Sequence, residues 1–229
     1  MQVDYAGHEA VYRRLRSQAG RAGWDDAQGL ARDLDILDEI MRWSAFPREG
    51  RVLELGCGAG NIALYLAARG YVVHGVDISR TAIDWAREHA AAGPVSASFE
   101  VGNVIDGEGL HDAAFDLVLD GHCLHCIIGE DRARFFGTAR RVLAPGGVLC
   151  VRTMCNALPP AMASRVGYDP DTGVCSRDGV ATRYVGAANA LVREVMDAGF
   201  ELLQMEVRRA PDGATDDSDE LILLASRPA

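Results

Sequence analysis

Three groups of residues in this 229-residue chain combine types and spacings that can do chemistry. The first follows the apolar run Val52-Leu53-Glu54-Leu55, where glycines at 56, 58 and 60 frame Cys57 and Ala59 before Asn61. Without Cβ atoms, Gly56, Gly58 and Gly60 let backbone N–H groups approach a ligand, and a helix beginning at Asn61 adds its positive end. A nicotinamide fingerprint needs a glycine where Asn61 stands, and no G-x-x-x-x-G-K-[ST] phosphate loop occurs. Glu54, just ahead of the loop, repels a pyrophosphate and attracts an ammonium or sulfonium group. Asp77 closes the next apolar run and is placed to accept both hydroxyls of a ribose. Together these residues describe a cationic, ribose-bearing ligand without phosphate.

The second group is Asp120-Gly121-His122-Cys123-Leu124-His125-Cys126, directly after the apolar run 115–119. This is the carboxyl end of a strand, where open parallel sheets bind ligands. Asp120 is therefore assigned to both the reacting centre and the cofactor pocket. His122 and His125 are the groups best suited to exchange a proton near neutrality. Either can deprotonate a hydroxyl, amine or thiol, with Asp120 orienting the ring or the substrate. A second reading has some of these four His and Cys side chains hold a metal, and a third gives them no chemical role. No complete zinc signature is present, so no metal is assigned. Cys57 and Cys150 read as small fillers; Cys123 and Cys126 read as packing, or as ligands for a soft metalloid substrate.

The third group is dispersed. Arg152 ends the run Val148-Leu149-Cys150-Val151 at its ligand-facing end and, with Arg165, Arg177 or Arg183, can receive a carboxylate through a forked pair of hydrogen bonds. Tyr5, His8, Tyr12 and Trp24 on one side, and Asn156, Tyr168 and Tyr184 on the other, are further lining candidates. The acidic run Asp212, Asp216, Asp217, Asp219 and Glu220 lacks calcium-loop spacing and reads as the solvated face of a hairpin.

These residues need a scaffold, and the hydrophobic rhythm supplies one. Residues 1–46 carry two helical patterns separated by Gly20 and Gly23. From Arg51 onward, apolar runs at 51–55, 71–76, 97–101, 115–119 and 148–152 alternate with helical stretches at 61–69, 80–92 and 131–142, which predicts a largely parallel sheet covered on both sides. Ser79 is the expected N-cap of the second of these helices, and Pro145-Gly146-Gly147 the exit turn of the third. Residues 153–184 break the rhythm and read as an irregular excursion. A helix over 187–198 and strands over 201–207 and 220–226 follow, the last two predicted antiparallel because their connection is short.

The charge is −10, with 23 Lys plus Arg against 33 Asp plus Glu, which disfavours nucleic acid and anionic membrane surfaces as partners. Six cysteines are too few for a disulfide scaffold in a chain this long, and neither a signal-type opening nor a run of 18 apolar residues is present. A cytoplasmic location and a small-molecule substrate are expected; the sequence does not address an oligomeric partner.

With ELGCGAG at 54–60, VDIS at 76–79, FDLVLD at 115–120 and LAPGG at 143–147, the chain resembles the class I S-adenosylmethionine-dependent methyltransferase family over about residues 48–227. The resemblance implies an α/β fold: a Rossmann-like three-layer sandwich around a mostly parallel seven-stranded sheet with an antiparallel C-terminal strand. It implies one domain over 1–229, with 1–46 as a helical cover and 153–185 as a substrate-side insertion. The cofactor implied is S-adenosyl-L-methionine. Glu54 and the turn Gly56, Cys57, Gly58 and Gly60 would lie near its amino-acid part, Asp77 with Ile78 at its ribose, and Asn103 with Val104 at its adenine. The family usually has Asp where this chain has Asn103. The activity implied is methyl transfer to an O, N, S or metalloid nucleophile. The alternatives are another alkyl transfer or cyclisation with the same cofactor, or a catalytically silent cofactor-binding subunit. The position after the central strand does not carry the tetrapeptide of base amino-methylation, so a small acceptor is favoured over nucleic acid.

Overall fold

A computed structural model of the protein describes residues 2–211, 213–215 and 217–229. Its element order is β1 (Gln2–Val3), α1 (Gly7–Arg16), α2 (Ala27–Met41), β2 (Arg51–Leu55), α3 (Asn61–Ala67), β3 (Val72–Asp77), α4 (Arg80–Ala92), β4 (Ser98–Val101) and β5 (Phe115–Gly121). It continues with α5 (Asp131–Val142), β6 (Leu143–Met154), α6 (Pro160–Val166), β7 (Tyr168–Asp169), β8 (Val174–Arg177), β9 (Val180–Tyr184), α7 (Ala188–Asp197), β10 (Glu201–Arg208) and β11 (Glu220–Ser226).

Seven strands form the main sheet in the order β10-β11-β6-β5-β2-β3-β4. All neighbours are parallel except β11, which runs antiparallel to both β10 and β6. The two-residue side-chain period explains why this sheet is buried on both faces. Val52, Leu117, Leu119, Cys150 and Ile222 point into the layer that holds Leu37 and Ile40 of α2, Leu66 of α3 and Ile83 of α4. Leu53, Leu55, Val118, Leu149 and Leu223 point into the opposite layer, against Phe135 and Phe136 of α5 and Leu191 and Val195 of α7. The chain moves outward from β2 to β4 on one side and from β5 to β6 on the other, so the crevice between the ends of β2 and β5 is the topological switch point.

Local signals set the helix starts. Asp26 caps α2 by accepting from the Gly29 amide at 2.8 Å, and Ser79 caps α4 by accepting from the Ala82 amide at 3.1 Å. Two expectations change. Pro145-Gly146-Gly147 is not a turn separate from the strand: β6 already begins at Leu143, and a register irregularity between Phe115 and Leu117 takes up the extra residues. Nor is 153–184 irregular throughout. It contains α6 and three strands that, with the N-terminal β1, make a second sheet in the order β1-β9-β8-β7. The turn residues that break the rhythm start and end α6, at Pro159-Pro160 and Gly167, and connect β7 to β8, at Pro170 and Gly173, and both glycines hold positive φ. Among the described residues, no helix is long and apolar enough to cross a membrane.

Candidate functional site

A cavity of about 1450 Å³ lies over the carboxyl ends of β2, β3, β5 and β6, roofed by residues of the N-terminal segment and of the second sheet. Glu54, Gly56, Cys57, Gly58, Asp77, Ile78, Asn103 and Val104 all line it, as do His122, His125 and Arg152. Gly60 does not. A Cβ at Gly60 would stand 2.7 Å from Phe99 Cζ and 2.9 Å from Ala86 Cβ, so this glycine serves the packing of the loop on β4 and α4.

The loop also uses its amides differently from the sequence expectation. Gly56 and Cys57 donate to the Val76 carbonyl at 2.8 and 3.0 Å, and Gly60 donates to the Cys57 carbonyl at 2.9 Å. Gly58 donates to Asp77 Oδ2 at 3.0 Å. These N–H groups bind the loop to β3 and, at Gly60, to itself, and do not project at a ligand. The Ala63 amide at the start of α3 faces the Glu54 carboxyl and works against the effect of its burial. The remaining Glu54 oxygen, Oε2, is buried without a partner. Burial in a site that also holds Asp77 and Asp120 pushes the Glu54 carboxyl up to about 8.

Asp77, at the end of β3, accepts from Gly58 on one oxygen and from the Ser79 amide, at 2.8 Å, on the other. Its lone pairs that these two amides leave over remain available. Burial raises its carboxyl above the ordinary value, against those two bonds. Asn103 closes a local turn by accepting from Ile105 at 3.0 Å. That bond explains an amide side chain at this position without any ligand.

Helix α1 is fastened over this half by a residue that sequence reasoning missed. Glu9 accepts from the Ser79 hydroxyl at 2.7 Å, the Thr81 amide at 3.1 Å and the Thr81 hydroxyl at 2.7 Å. The Thr81 and Ser79 bonds hold the Glu9 carboxyl down to about 2. A carboxylate at the start of α4 is favourable electrostatically, and it brings Tyr12 against the loop: a Cβ at Gly58 would collide with the Tyr12 hydroxyl.

Beyond β5 the expectations separate. Asp120 is wholly buried and does not line the cavity. Its Oδ1 accepts from the amides of Cys123 and Leu124, each at 2.8 Å, and so starts the single 3-10 turn Leu124–Cys126. Burial raises the Asp120 carboxyl to about 6. Asp120 thus shapes the turn from behind. Arg132, which sequence reading did not single out, holds the same turn from α5. It donates to the carbonyls of Leu124 and Ile127 at 2.8 and 3.0 Å, makes a two-pronged pair with Glu194 at 2.7 Å, and lies over the Tyr184 ring.

His122 and His125 meet with ring centroids 6.0 Å apart. His125 is 8% exposed, with Nδ1 buried and unpartnered. Burial, reinforced by His122 and Arg183, drives its ring well below the usual range, so it is neutral. Burial raises both Cys123 and Cys126, the latter to about 11, which makes them thiols and not thiolates. Among the described residues, no group of three or more His, Cys, Asp or Glu is arranged to hold a metal ion.

Arg152 is 1% exposed and is not the unpaired fork expected of it. Its Nε donates to Glu220 at 2.9 Å and its Nη2 to Asp33 at 3.2 Å, joining β6 to β11 and α2. Arg165, Arg177 and Arg183 do line the cavity, whereas Asn156, Tyr168 and Tyr184 do not. Asn156 instead bonds Asp219 and the Ala188 amide, and Tyr184 packs beneath Arg132. The acidic run is also not a uniform solvated face. Asp219 bonds Asn156 and Arg209, and Glu220 joins Arg152; Asp212 and Asp216 lie outside the described residues.

Residues 53–151 match the family model described as a methyltransferase domain. Among curated proteins, the chain is 38% identical over 117 residues to an S-adenosyl-L-methionine-dependent Diels-Alderase of Talaromyces variabilis, covering 48% of this chain and 38% of that protein. It is 36% identical over 98 residues to a 2-heptyl-1-hydroxyquinolin-4(1H)-one methyltransferase of Mycobacteroides abscessus, covering 42% of this chain and 43% of that one. The match thus spans less than half the length of either relative. Among solved structures, it superposes on the Burkholderia thailandensis 1,6-didemethyltoxoflavin N1-methyltransferase with bound 1,6-didemethyltoxoflavin and S-adenosylhomocysteine. The TM-score is 0.72 at 17% identity, over 98% of this chain and 87% of that one. The glycine loop and the acidic ends of β2 and β3 fall within residues 53–151, so this part of the chain carries the methyltransferase domain and is similar to the class I S-adenosylmethionine-dependent methyltransferases.

Proposed function

We propose that this protein transfers a methyl group from S-adenosylmethionine to a small-molecule O, N, S or metalloid nucleophile held over the ends of β5 and β6. The observation that carries the reading is the unpartnered, buried Glu54 oxygen in the same wall as the Asp77 carboxyl. A buried carboxylate without a partner is costly, and a cationic ligand relieves that cost. Asp77 retains acceptor capacity for ribose hydroxyls. The donor set therefore fits the cofactor, with Glu54 toward its ammonium, Asp77 and Ile78 at its ribose and Asn103 and Val104 toward its adenine. When bound, the cofactor supplies an electrophilic methyl group on a sulfonium that needs no further activation.

The chain's own contribution is placement. Glu54 and Asp77 orient one ligand, while His122, the neutral His125 and Arg183 border the room left for the other. Tyr5, His8, Tyr12 and Trp24 line the same cavity from the N-terminal side and exclude bulk water. With Arg152 neutralised by Asp33 and Glu220, Arg177 and Arg183 are the cavity cations left for an acidic acceptor, neither having a carboxylate partner among the described residues. We read 1–229 as one methyltransferase domain, with 1–46 as cover and 153–185 as the substrate-side insertion. A cytoplasmic location is supported by six cysteines that all stand free.

Incubating the protein with S-adenosylmethionine and a panel of small phenols, hydroxyquinolones, amines and thiols tests the reading by mass spectrometry. Methyl transfer gives an acceptor heavier by one methyl group, together with S-adenosylhomocysteine. The relative that is a Diels-Alderase gives the competing outcome a definite form: a cyclised product of unchanged mass with the cofactor intact. Methylthioadenosine release would instead mark another alkyl transfer.

A further inference from the structure

Two histidines face each other across the acceptor half, and the sequence does not choose between them. We infer that Glu220 positions His122 as the proton-accepting residue, fixing the hydrogen on Nε2 and turning the bare Nδ1 to the cavity. This rests on the methyl-transfer reading and names the acceptors it admits: molecules whose nucleophilic O, N or S still carries a proton.

His122 Nε2 lies 3.1 Å from Glu220 Oε1, and a ring nitrogen that close to a carboxylate carries a hydrogen. The carboxylate itself cannot swing away. Arg152 Nε donates to the same oxygen at 2.9 Å, and Arg152 is in turn held by Asp33 of α2. Burial opposes ionisation of Glu220, but His122 and Arg152 hold its carboxyl down to about 2, so it is an anion throughout the working range. The His122 side chain keeps 33% of its surface exposed and lines the cavity.

The backbone supports the same assignment. His122 has φ 70°, a left-handed conformation that strains a non-glycine residue. It directly follows Gly121, which has no Cβ and could adopt that geometry freely, yet the turn is made on the histidine. The His122 amide is locked to the Arg152 carbonyl at 3.1 Å. Such strain is kept where the surrounding structure aims a side chain. His125 has none of these supports: it is enclosed, neutral, and has no carboxylate bonded to its ring among the described residues. The other charged groups around His122 are Asp25 from the segment before α2, Asp120 beneath it and His125 beside it. None of them makes a bond to its ring.

Nitrogen-15 spectra of the full chain with labelled histidine test this without turnover. At pH 8 His122 is expected as the Nε2–H tautomer, and Glu220→Gln is expected to lose that single form and show both tautomers. The Nδ1–H tautomer in the unaltered protein would overturn the inference even if Glu220→Gln failed to fold. So would a Glu220→Gln protein that melts earlier with the His122 tautomer unchanged, since that marks Glu220 as structural only. Titrating the same samples with S-adenosylhomocysteine keeps the two claims apart. Uptake with the Nδ1–H tautomer removes the role of Glu220 alone, whereas the Nε2–H tautomer without uptake leaves the dyad standing and removes the methyl-transfer reading.

Discussion

The two halves of the cavity are built by opposite means. On the donor side, Glu54, the loop 56–60 and Asp77 lie within two neighbouring strands and their exits, and are tied together by backbone bonds over short distances. On the acceptor side, three side chains depend on partners far along the chain. Arg132 of α5 meets Glu194 of α7, Arg152 of β6 meets Asp33 of α2, and His122 meets Glu220 of β11. The difference teaches that ligand recognition by backbone geometry can be local, while orientation of a reactive side chain is a tertiary achievement made by buried charge.

The sharpest way to break that contrast is to remove a buried cation from the acceptor side. Arg132→Met would leave the Leu124 and Ile127 carbonyls without their donor and Glu194 without its partner. The expected loss of stability is about 3 kcal/mol, at the lower end for a buried pair because Glu194 keeps some solvent contact. Chemical denaturation measures it, and a loss below about 1 kcal/mol would show that the turn 124–126 does not depend on α5.

A smaller effect sharpens the donor side. The Glu54 carboxyl is shifted from its ordinary 4.5 up to about 8, so the folded protein favours the protonated form. The stability this group contributes is therefore full at low pH and is lost as the pH rises from about 4.5 to about 8. A cationic ligand works against that proton. Affinity for S-adenosylmethionine is expected to rise by up to about tenfold per pH unit between about pH 6 and 8, with one proton released on binding. Calorimetry in buffers of different ionisation enthalpy checks the proton count. Glu54→Gln should flatten the profile, and an equal slope in that variant would remove Glu54 from the site.

What the sequence made legible follows the same division. The run at 52–55, the glycines, Asp77 and Ser79 announced strand, loop, acid and cap, because each acts within a few residues of its neighbours. The alternation of apolar runs and helices likewise announced the sheet. Asp120 misled, since a carboxylate at a strand end can face a ligand or cap the next turn, and only the amides of Cys123 and Leu124 decide between them. Arg152 misled for a related reason: its neutralising carboxylates stand 119 and 68 residues away. Glu9 and Glu220 were invisible as site residues because nothing in their own neighbourhoods marks them. The second sheet was missed because it pairs 2–3 with 180–181, a contact that no local pattern encodes.

The central claim is that the ends of β2 and β3 hold a cationic, ribose-bearing sulfonium compound, and calorimetric titration of the purified chain tests it most directly. One equivalent of S-adenosylmethionine should bind, and Asp77→Ala should weaken it on the order of 100-fold, the value of two hydrogen bonds to a charged group. Failure to take up S-adenosylmethionine while binding NAD or a nucleoside triphosphate would contradict the account.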